Sequence, residues 1–467
     1  MIDTITIGGL RGFGKAQTIK FAKPDGENEG SGLTFVVGAN NTGKTTIAEA
    51  IRAFNCTHFS QAPTFSSDKR NRKHDGGRVF LRLKNTEGKE YIIKTVDSGG
   101  SMTELVASDE EGWKSQGIYV LNSRRSIQYE FNRYEQDKLS YLSNQLANQA
   151  SRNPFLQDFG SRLNAMNKTE NRKLIDPMLK EILGMDLEWT IDENINRNCY
   201  LIIKINGVEH ISEGMGDGLW SVFTICDSLY DLKEGQTLII DEPELSLHPS
   251  YQKRVMKLLK RAAKERQIII STHSPYFIDT DSLMNGAGLI RTHKNSEGDI
   301  EVYPLQNPIM DIKCLINDLN QPHTFGIEAK EIFFQEDRVI VAEGQEDVVL
   351  YSKIANDLKI ELQGNFFGWG AGGATKIPQV LSILHQLGYK KVSAIFDGDK
   401  RAEYEKAVER FPMYNIIIIS QDDVRDKPEI APKGAKSGLC MRNGTVKEEY
   451  KEEICELFDQ LNTYFSS

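Results

Sequence analysis

The sequence predicts an α/β protein in two consecutive parts, each organised around a parallel sheet. Three observations lead there. Short apolar runs recur, as expected of strands buried on both faces of a parallel sheet: Leu33–Val37, Thr237–Ile240, Gln267–Ile270, Val339–Ala342 and Val392–Phe396. Segments with helical spacing separate them. A chain of 467 residues with 39% hydrophobic and 26% charged residues has the make-up of two or three soluble globular domains, and excludes a collagen-like or wholly disordered protein.

In order, Ile2–Ile7 alternates like an edge strand, and Leu33–Val37 runs into a glycine-rich turn followed by helical spacing over Thr45–Phe54. Val79–Leu83 and Glu90–Val96 read as antiparallel strands around the turn Asn85–Gly88. From Tyr129 the strand pattern gives way to polar helical sequence, so a helical insertion is predicted over about 129–190. Strand signals resume at Tyr200–Ile205, Thr237–Ile240 and Gln267–Ile270. The proline-containing stretch Asn295–His323 reads as a connector, placing a first domain at 1–320 and a second at 331–467. In the second, strands Val339–Ala342, Val392–Phe396 and Tyr414–Ile419 alternate with helices. No internal repeat or low-complexity tract interrupts the chain.

Lys and Arg number 57 against 66 Asp and Glu, a net charge of −9, and most of the acidic excess lies in 331–467. This argues against nonspecific coating of nucleic acid but leaves room for a local basic channel. The cysteines (Cys56, Cys199, Cys226, Cys314, Cys440, Cys455) form no C-x-x-C pair. A reducing cytoplasm is therefore expected, and a disulfide scaffold or zinc ribbon is not. The aliphatic run Ile416–Ile419 falls far short of the roughly 18 residues of a membrane span. Met1–Leu10 lacks the pattern of a secretory signal.

Gly38-Ala-Asn-Asn-Thr-Gly43-Lys44-Thr45 satisfies G-x-x-x-x-G-K-[ST], with a strand before it and a helix after it. Such a loop curls backbone N–H groups around phosphate oxygens at a helix N-terminus. Lys44 is the candidate for the β/γ-phosphates and Thr45 for Mg²⁺, with Asn40, Asn41 and Thr46 as further contacts to an ATP-type ligand. Thr237-Leu-Ile-Ile-Asp241-Glu242 is an apolar strand ending in two acids: Asp241 to support Mg²⁺, Glu242 to polarise the attacking water. Leu245-Ser-Leu-His-Pro249 follows, and Gln267–Ile270 leads to Ser271-Thr-His273. Upstream lies Ile211-Ser212-Glu-Gly214-Met-Gly216.

This order of motifs resembles an ABC-type ATPase head of the DNA-repair and chromosome-organising branch. The resemblance implies that Ser212, Gly214 and Gly216 complete the nucleotide site of an opposite protomer, that His273 contacts the γ-phosphate, and that the protein forms a homodimer. The glutamine that usually follows the first lobe has two candidates, Gln116 and Gln128.

The last third carries a second constellation. Val339-Ile-Val-Ala-Glu343-Gly344-Gln-Glu346-Asp347 and Val392-Ser-Ala-Ile-Phe-Asp397-Gly-Asp399 are buried-type strands ending in carboxylates. Adjacent parallel strands would gather Glu343, Asp397 and Asp399 at the carboxyl edge, where α/β sheets place ligands. On extended chain Asp397 and Asp399 would point the same way. Clustered carboxylates call for Mg²⁺ or Mn²⁺, which can drive phosphodiester cleavage, with Glu346 or Asp347 as a further ligand. Lys433 and Lys436 are rival candidates for a cation at the phosphate.

Glu-Gly, an intervening Gly370-Ala-Gly-Gly373 and Asp-Gly-Asp resemble a TOPRIM domain. An ABC-type head followed by TOPRIM resembles the OLD (overcoming lysogenisation defect) nucleases. Membership implies an ATP-binding, metal-dependent DNA endonuclease of antiviral defence, with room for a partner such as a retron complex. An RNA-cleaving enzyme, or a DNA-sensing or DNA-clamping ATPase with TOPRIM as scaffold, are the alternatives. Three basic stretches, Tyr251–Arg266, Lys69–Lys73 and Arg124-Arg125, are candidates for phosphate contacts or for ordinary solvated faces.

Overall fold

The computed structural model describes residues 1–55, 62–107, 117–123, 135, 159–205, 207–211, 216–305, 337–429 and 434–467. They divide into two units, Met1–Pro304 and Leu305–Ser467.

A six-stranded sheet organises the first unit, in the spatial order Ile300–Pro304, Gly288–Lys294, Leu33–Val37, Gln267–Ser271, Thr237–Asp241, Ile118–Leu121. Neighbours are parallel except the hairpin of Gly288–Lys294 with Ile300–Pro304. Leu33–Val37, Thr237–Asp241 and Gln267–Ser271 are buried at every position, hence their continuous apolar runs. The connector expected at Asn295–His323 is corrected in its first part. Asn295 N donates to Asp299 O at 2.9 Å, closing a turn that returns Ile300–Pro304 into the sheet. The stretch from 306 onward lies outside the described residues.

A five-stranded antiparallel sheet runs Gln17–Lys20, Ile2–Gly8, Phe80–Asn85, Glu90–Thr95, Thr103–Ala107. Ile2–Gly8 therefore has a partner on each side and is not an edge strand. Its alternation reflects one face on the core: Ile5, Ile7, Leu81, Leu83, Tyr91 and Ile93 share a cluster with Val36, Ile239 and Ile269. Helix Lys44–Arg52 contributes Ile47, Ala50 and Ile51 to that cluster, so it is gripped by both sheets, the two isoleucines worth about 1.5–3 kcal/mol each. The buried Gln267 joins the sheets. Its Oε1 accepts from Ile2 N and Thr237 Oγ1 (2.8 Å each), and its Nε2 donates to Ile2 O (2.7 Å) and Ala22 O (2.8 Å). Every hydrogen-bonding group of this amide is used, as burial demands.

Within the predicted insertion, helices Phe159–Met166 and Thr169–Leu183 are present, and 124–134 and 136–158 lie outside the described residues. The prediction overran at its end, because Glu188–Glu193 is a strand paired antiparallel with Cys199–Ile205. Trp189 anchors it: the indole donates to Asp176 at 2.8 Å and lies under the Arg172 guanidinium, 4.6 Å from the ring centre.

The second unit holds an all-parallel four-stranded sheet, in the order Asn365–Phe366, Val339–Val341, Val392–Phe396, Asn415–Ile418. Helices Gln345–Asp357, Ile377–Gln386 and Arg401–Arg410 connect its strands, and Lys451–Ser466 packs through Ile454, Phe458 and Leu461 into the same core. A short parallel ribbon pairs Asp423–Arg425 with Gly438–Cys440. Among the described residues no helix is long and apolar enough to cross a membrane.

Candidate nucleotide site and acidic centre

The loop after Leu33–Val37 opens at Gly38 (φ 152°) and closes at Gly43 (φ 98°). A Cβ on Gly38 would lie 2.4 Å from Thr292 O, and one on Gly43 2.4 Å from Ile300 Cδ1, so backbone angle and space both demand glycine. Helix Lys44–Arg52 begins at once, leaving its first N–H groups directed into the loop. Asn40 and Asn41 are exposed at the loop tip, Thr45 is half-buried and Thr46 buried. The Lys44 side chain is buried and donates to Gly38 O (2.9 Å) and Ala39 O (2.8 Å). Burial, opposed by Glu242 and Asp241, brings its ammonium down to about 8.

Strand Thr237–Asp241 delivers the buried Asp241, which accepts from the Ser271 hydroxyl on the neighbouring strand. Glu242 follows at φ 48°, a conformation that non-glycine residues adopt rarely and that clusters at functional sites. Its N–H donates to Ser271 O at 2.7 Å. His273, beyond the end of that strand, places Nε2 3.6 Å from Glu242 Oε1. Burial, aided by Lys44, pushes the imidazole down to about 4, so it is neutral at pH 7. The structure adds Glu244, which sequence reasoning passed over. Its carboxylate accepts from Thr272 Oγ1 (2.8 Å) and His273 N (2.6 Å), tying the His273 segment to the acidic one. The available signal was a third acid in Asp241-Glu242-Pro-Glu244.

Ser212 and Gly214 lie outside the described residues, as do Gln116, Gln128, Arg124 and Arg125. Gly216 is described and caps the start of helix Asp217–Tyr230 in extended conformation.

In the second unit, Val339–Val341 and Val392–Phe396 are adjacent and parallel, and their carboxyl ends bring Glu343 to Asp397: Asp397 N donates to Glu343 Oε1 at 3.0 Å. Asp347, in the first turn of helix Gln345–Asp357, accepts from Gly344 N at 2.8 Å. Oxygens of Asp347, Asp397 and Asp423 lie within 4.8 Å of one another, all three residues buried. Burial, reinforced by Glu343 and Asp423, pushes Asp347 up to about 7; burial, reinforced by Asp347 and Glu343, pushes Asp397 up to about 9. Burial likewise raises Glu343. Asp423 was absent from the sequence-based set, although it closes a third buried-type run, Ile416–Ile419, after a three-residue turn.

Asp399 departs from expectation. Gly398–Lys400 is a 3₁₀ turn, so the alternation of extended chain does not apply, and Asp399 stands apart from the closest acidic group. Burial acts upward on it, but hydrogen bonds from Lys436 (2.8 Å) and Lys400 (2.9 Å) hold it below the usual carboxylate range. Lys436 also approaches Asp423 (3.5 Å), and Lys427, paired with it by a β-bridge, donates to Asp423 at 2.6 Å. Glu346 is turned to Arg425 and Lys427. Lys433 lies outside the described residues.

The basic clusters are largely committed to the fold. On Pro249–Ala262, Arg254 donates to Ile182 O (3.0 Å), Lys260 pairs with Asp279 (3.0 Å), and Arg261 binds Glu181 (2.7 Å). Arg266 donates to Leu232 O at 2.8 Å, and Lys69 pairs with Glu49 at 2.9 Å. That is the behaviour of a solvated, ion-paired face.

Two family profiles match the first unit: one described as "AAA ATPase domain" over residues 1–173, and one as "AAA domain, putative AbiEii toxin, Type IV TA system" over 121–279. Among curated proteins, the chain is 24% identical over 233 residues to "Endonuclease GajA" of Bacillus cereus (strain VD045), covering 48% of this chain and 38% of that protein. It is 24% identical over 315 residues to "Septu protein PtuA" of Bacillus thuringiensis, covering 60% and 75%. It is 30% identical over 176 residues to "OLD nuclease" of Thermus scotoductus (strain ATCC 700910 / SA-01), covering 36% and 33%. The chain thus spans little more than a third of GajA and a third of the OLD nuclease. Among solved structures, an SMC head bound to the C-terminal winged-helix domain of ScpA superposes with a TM-score of 0.41 at 14% identity, covering 65% of this chain and 97% of that one. The chain is thus similar, at 24–30% identity, to relatives named OLD nuclease, GajA and PtuA, and ATPase profiles lie over its glycine loop and its Asp-Glu strand.

Proposed function

We propose that the chain is an ATP-hydrolysing, divalent-metal-dependent DNA endonuclease acting in antiviral defence. The observation that carries the cleavage half is the trio Asp347, Asp397 and Asp423, with oxygens within 4.8 Å of one another: Asp347 from the first turn of a helix, Asp397 just beyond Val392–Phe396 and Asp423 opening the short ribbon. Three buried carboxylates so close repel one another, and hard oxygen donors suit Mg²⁺ or Mn²⁺, so the residues fit such ions. Bound there, the cations would supply Lewis-acid activation of water and of the leaving oxygen. The trio holds them. Glu343 orients Asp397 through its backbone N–H. Asp399 steadies Lys436, whose ammonium offsets charge building on the phosphate. The second unit takes the part that a TOPRIM domain takes.

In the first unit the Gly38–Gly43 loop and Lys44 cradle the phosphates of ATP, with Asn40, Asn41 and Thr46 around them. Thr45 and Asp241 hold Mg²⁺, Glu242 polarises the water, and neutral His273 donates to the γ-phosphate. Ser212, Gly214 and Gly216 act on the nucleotide of a second copy.

The test is conversion of supercoiled plasmid by purified protein. Nicked and linear products should form with Mg²⁺ or Mn²⁺ and stop with EDTA, and Asp423→Ala should yield none. Nicking that survives EDTA, or persists in Asp423→Ala, sinks the assignment; exclusive cleavage of a matched RNA moves the substrate to RNA. A further expectation concerns the Glu244 clasp. Glu244→Ala removes two hydrogen bonds to a charged acceptor, each worth about 1.5–3 kcal/mol. Steady-state ATPase assays should show kcat down about tenfold with KM less affected, since the clasp orients His273 and not the phosphates.

A further inference from the structure

We infer that Trp369 is a stacking platform for an unpaired nucleobase beside the acidic centre, which makes single-stranded or frayed nucleic acid the substrate class engaged there. This inference rests on the phosphodiesterase reading of that centre. Trp369 is 39% exposed, whereas the other described tryptophans, Trp189 and Trp220, are 3% and 2% exposed. A singly exposed apolar side chain carries little by itself. Its placement carries more.

Trp369 occupies a tight turn closed by Gly370 N donating to Phe367 O at 2.9 Å. The turn is clamped to the strand that bears Glu343. Phe367 N donates to Ile340 O, Ala371 N to Ala342 O, and Gly372 N and Gly373 N to Glu343 O, each at 2.8 Å. Gly370 lies so close that a Cβ there would stand 2.6 Å from Gly344 Cα. Gly344 N in turn binds the Asp347 carboxylate at 2.8 Å. The buried Phe367 anchors the other end of the turn in the core. The indole is thus carried on rigid backbone one residue from a contact with the acidic centre.

Strand order supplies the direction. Across the carboxyl edge the sheet presents, in turn, the Trp369 turn, then Glu343 and Asp347, then Asp397, then Asp423 with Lys427 and Lys436. The turn that bears the exposed indole flanks the carboxylates on one side, and ammonium groups flank them on the other. A strand laid along this edge with a phosphate at the acids meets cations on one flank and the indole on the next nucleotide. Indole–base stacking is worth about 1–3 kcal/mol per base and needs a free base face, which the interior of a duplex does not offer.

The test measures binding of a fluorescein-labelled single-stranded oligodeoxynucleotide and of its blunt duplex by anisotropy, in Ca²⁺ buffer. Trp369→Ala and Trp369→Leu should each weaken single-strand binding about tenfold, with Trp369→Phe much closer to the parent. Duplex binding should change far less. Leu keeps bulk without a π-face and so separates stacking from packing, and matching thermal melts confirm that the variants are folded. Unchanged single-strand affinity in Trp369→Ala, equal losses for both DNAs, or no single-strand binding by the parent overturns the inference. So does a Trp369→Ala variant whose change is confined to self-association in sedimentation. Plasmid cleavage by Asp397→Ala is followed in parallel. Activity in that variant removes the nuclease reading whatever Trp369 does; its inactivity beside normal oligonucleotide binding by Trp369→Ala removes the stacking platform alone.

Discussion

Asp397→Asn is expected to lower phosphodiester cleavage by about 10²–10³-fold, the scale on which loss of one charge-stabilising group acts at a reacting centre. The substitution keeps side-chain volume and leaves the backbone N–H that binds Glu343 in place, so the fold around Val392–Phe396 has no reason to rearrange. What it removes is one of three buried carboxylates within 4.8 Å. Relieving that crowding should leave the melting temperature of the metal-free protein near pH 7 equal to or above the parent's, because the parent must take up a proton on folding to hold a carboxyl raised to about 9, and the amide need not. Added Mn²⁺ should raise the melting temperature of the parent by mass action and do so much less for Asp397→Asn. ATP turnover should persist, since the proposed nucleotide site, with Lys44 and Glu242, belongs to the other unit. A variant that cuts as fast as the parent would leave the second unit as a scaffold.

Lys44→Ala is expected to abolish ATP turnover, with a loss on the order of a thousandfold, as when a single cation on a transferring phosphate is withdrawn. Lys44 is the buried cation of the glycine loop, held by Gly38 O and Ala39 O at 2.9 and 2.8 Å and facing the field of Glu242 and Asp241. Glu242→Gln should behave differently: it keeps the loop and its lysine, so nucleotide stays bound while hydrolysis stops. Mixing Lys44→Ala with Ser212→Arg then tests action between copies. Each parent homodimer would be dead, and a mixed dimer would keep one intact composite site. Partial recovery of hydrolysis supports the composite site; turnover by a strict monomer refutes it.

The parallel strands were readable because burial on both faces writes itself as an unbroken apolar run, as in Thr237–Asp241 and Val392–Phe396. The glycine loop was readable because two backbone positions admit no Cβ. Pairing was harder to see. Ile2–Gly8 alternates whether it lies at an edge or inside an antiparallel sheet, and only its partners Gln17–Lys20 and Phe80–Asn85 decide. Asp399 departed from the extended pattern because Gly398–Lys400 turns where Gly398 packs against the Gln421 carbonyl too closely for a Cβ, and Asp423 escaped notice because Gln421-Asp422-Asp423 has the composition of a surface loop. Its place beside Asp347 and Asp397 arises from three-dimensional convergence, which no local pattern encodes.

The Gln267 amide has a consequence for biosynthesis. Its bonds to Ile2 span 265 positions of sequence. The amino-terminal strand emerges from the ribosome early, yet the residue that fastens it arrives only after most of the first unit has been made. At ~5–20 residues per second that is a wait on the order of tens of seconds. Throughout it, the edges of Leu33–Val37 also lack Gln267–Ser271 and Gly288–Lys294, their partners on either side. Nascent chains stalled before Gln267 should therefore be chaperone clients and protease-sensitive, and release of the next few tens of residues should convert them to a resistant form.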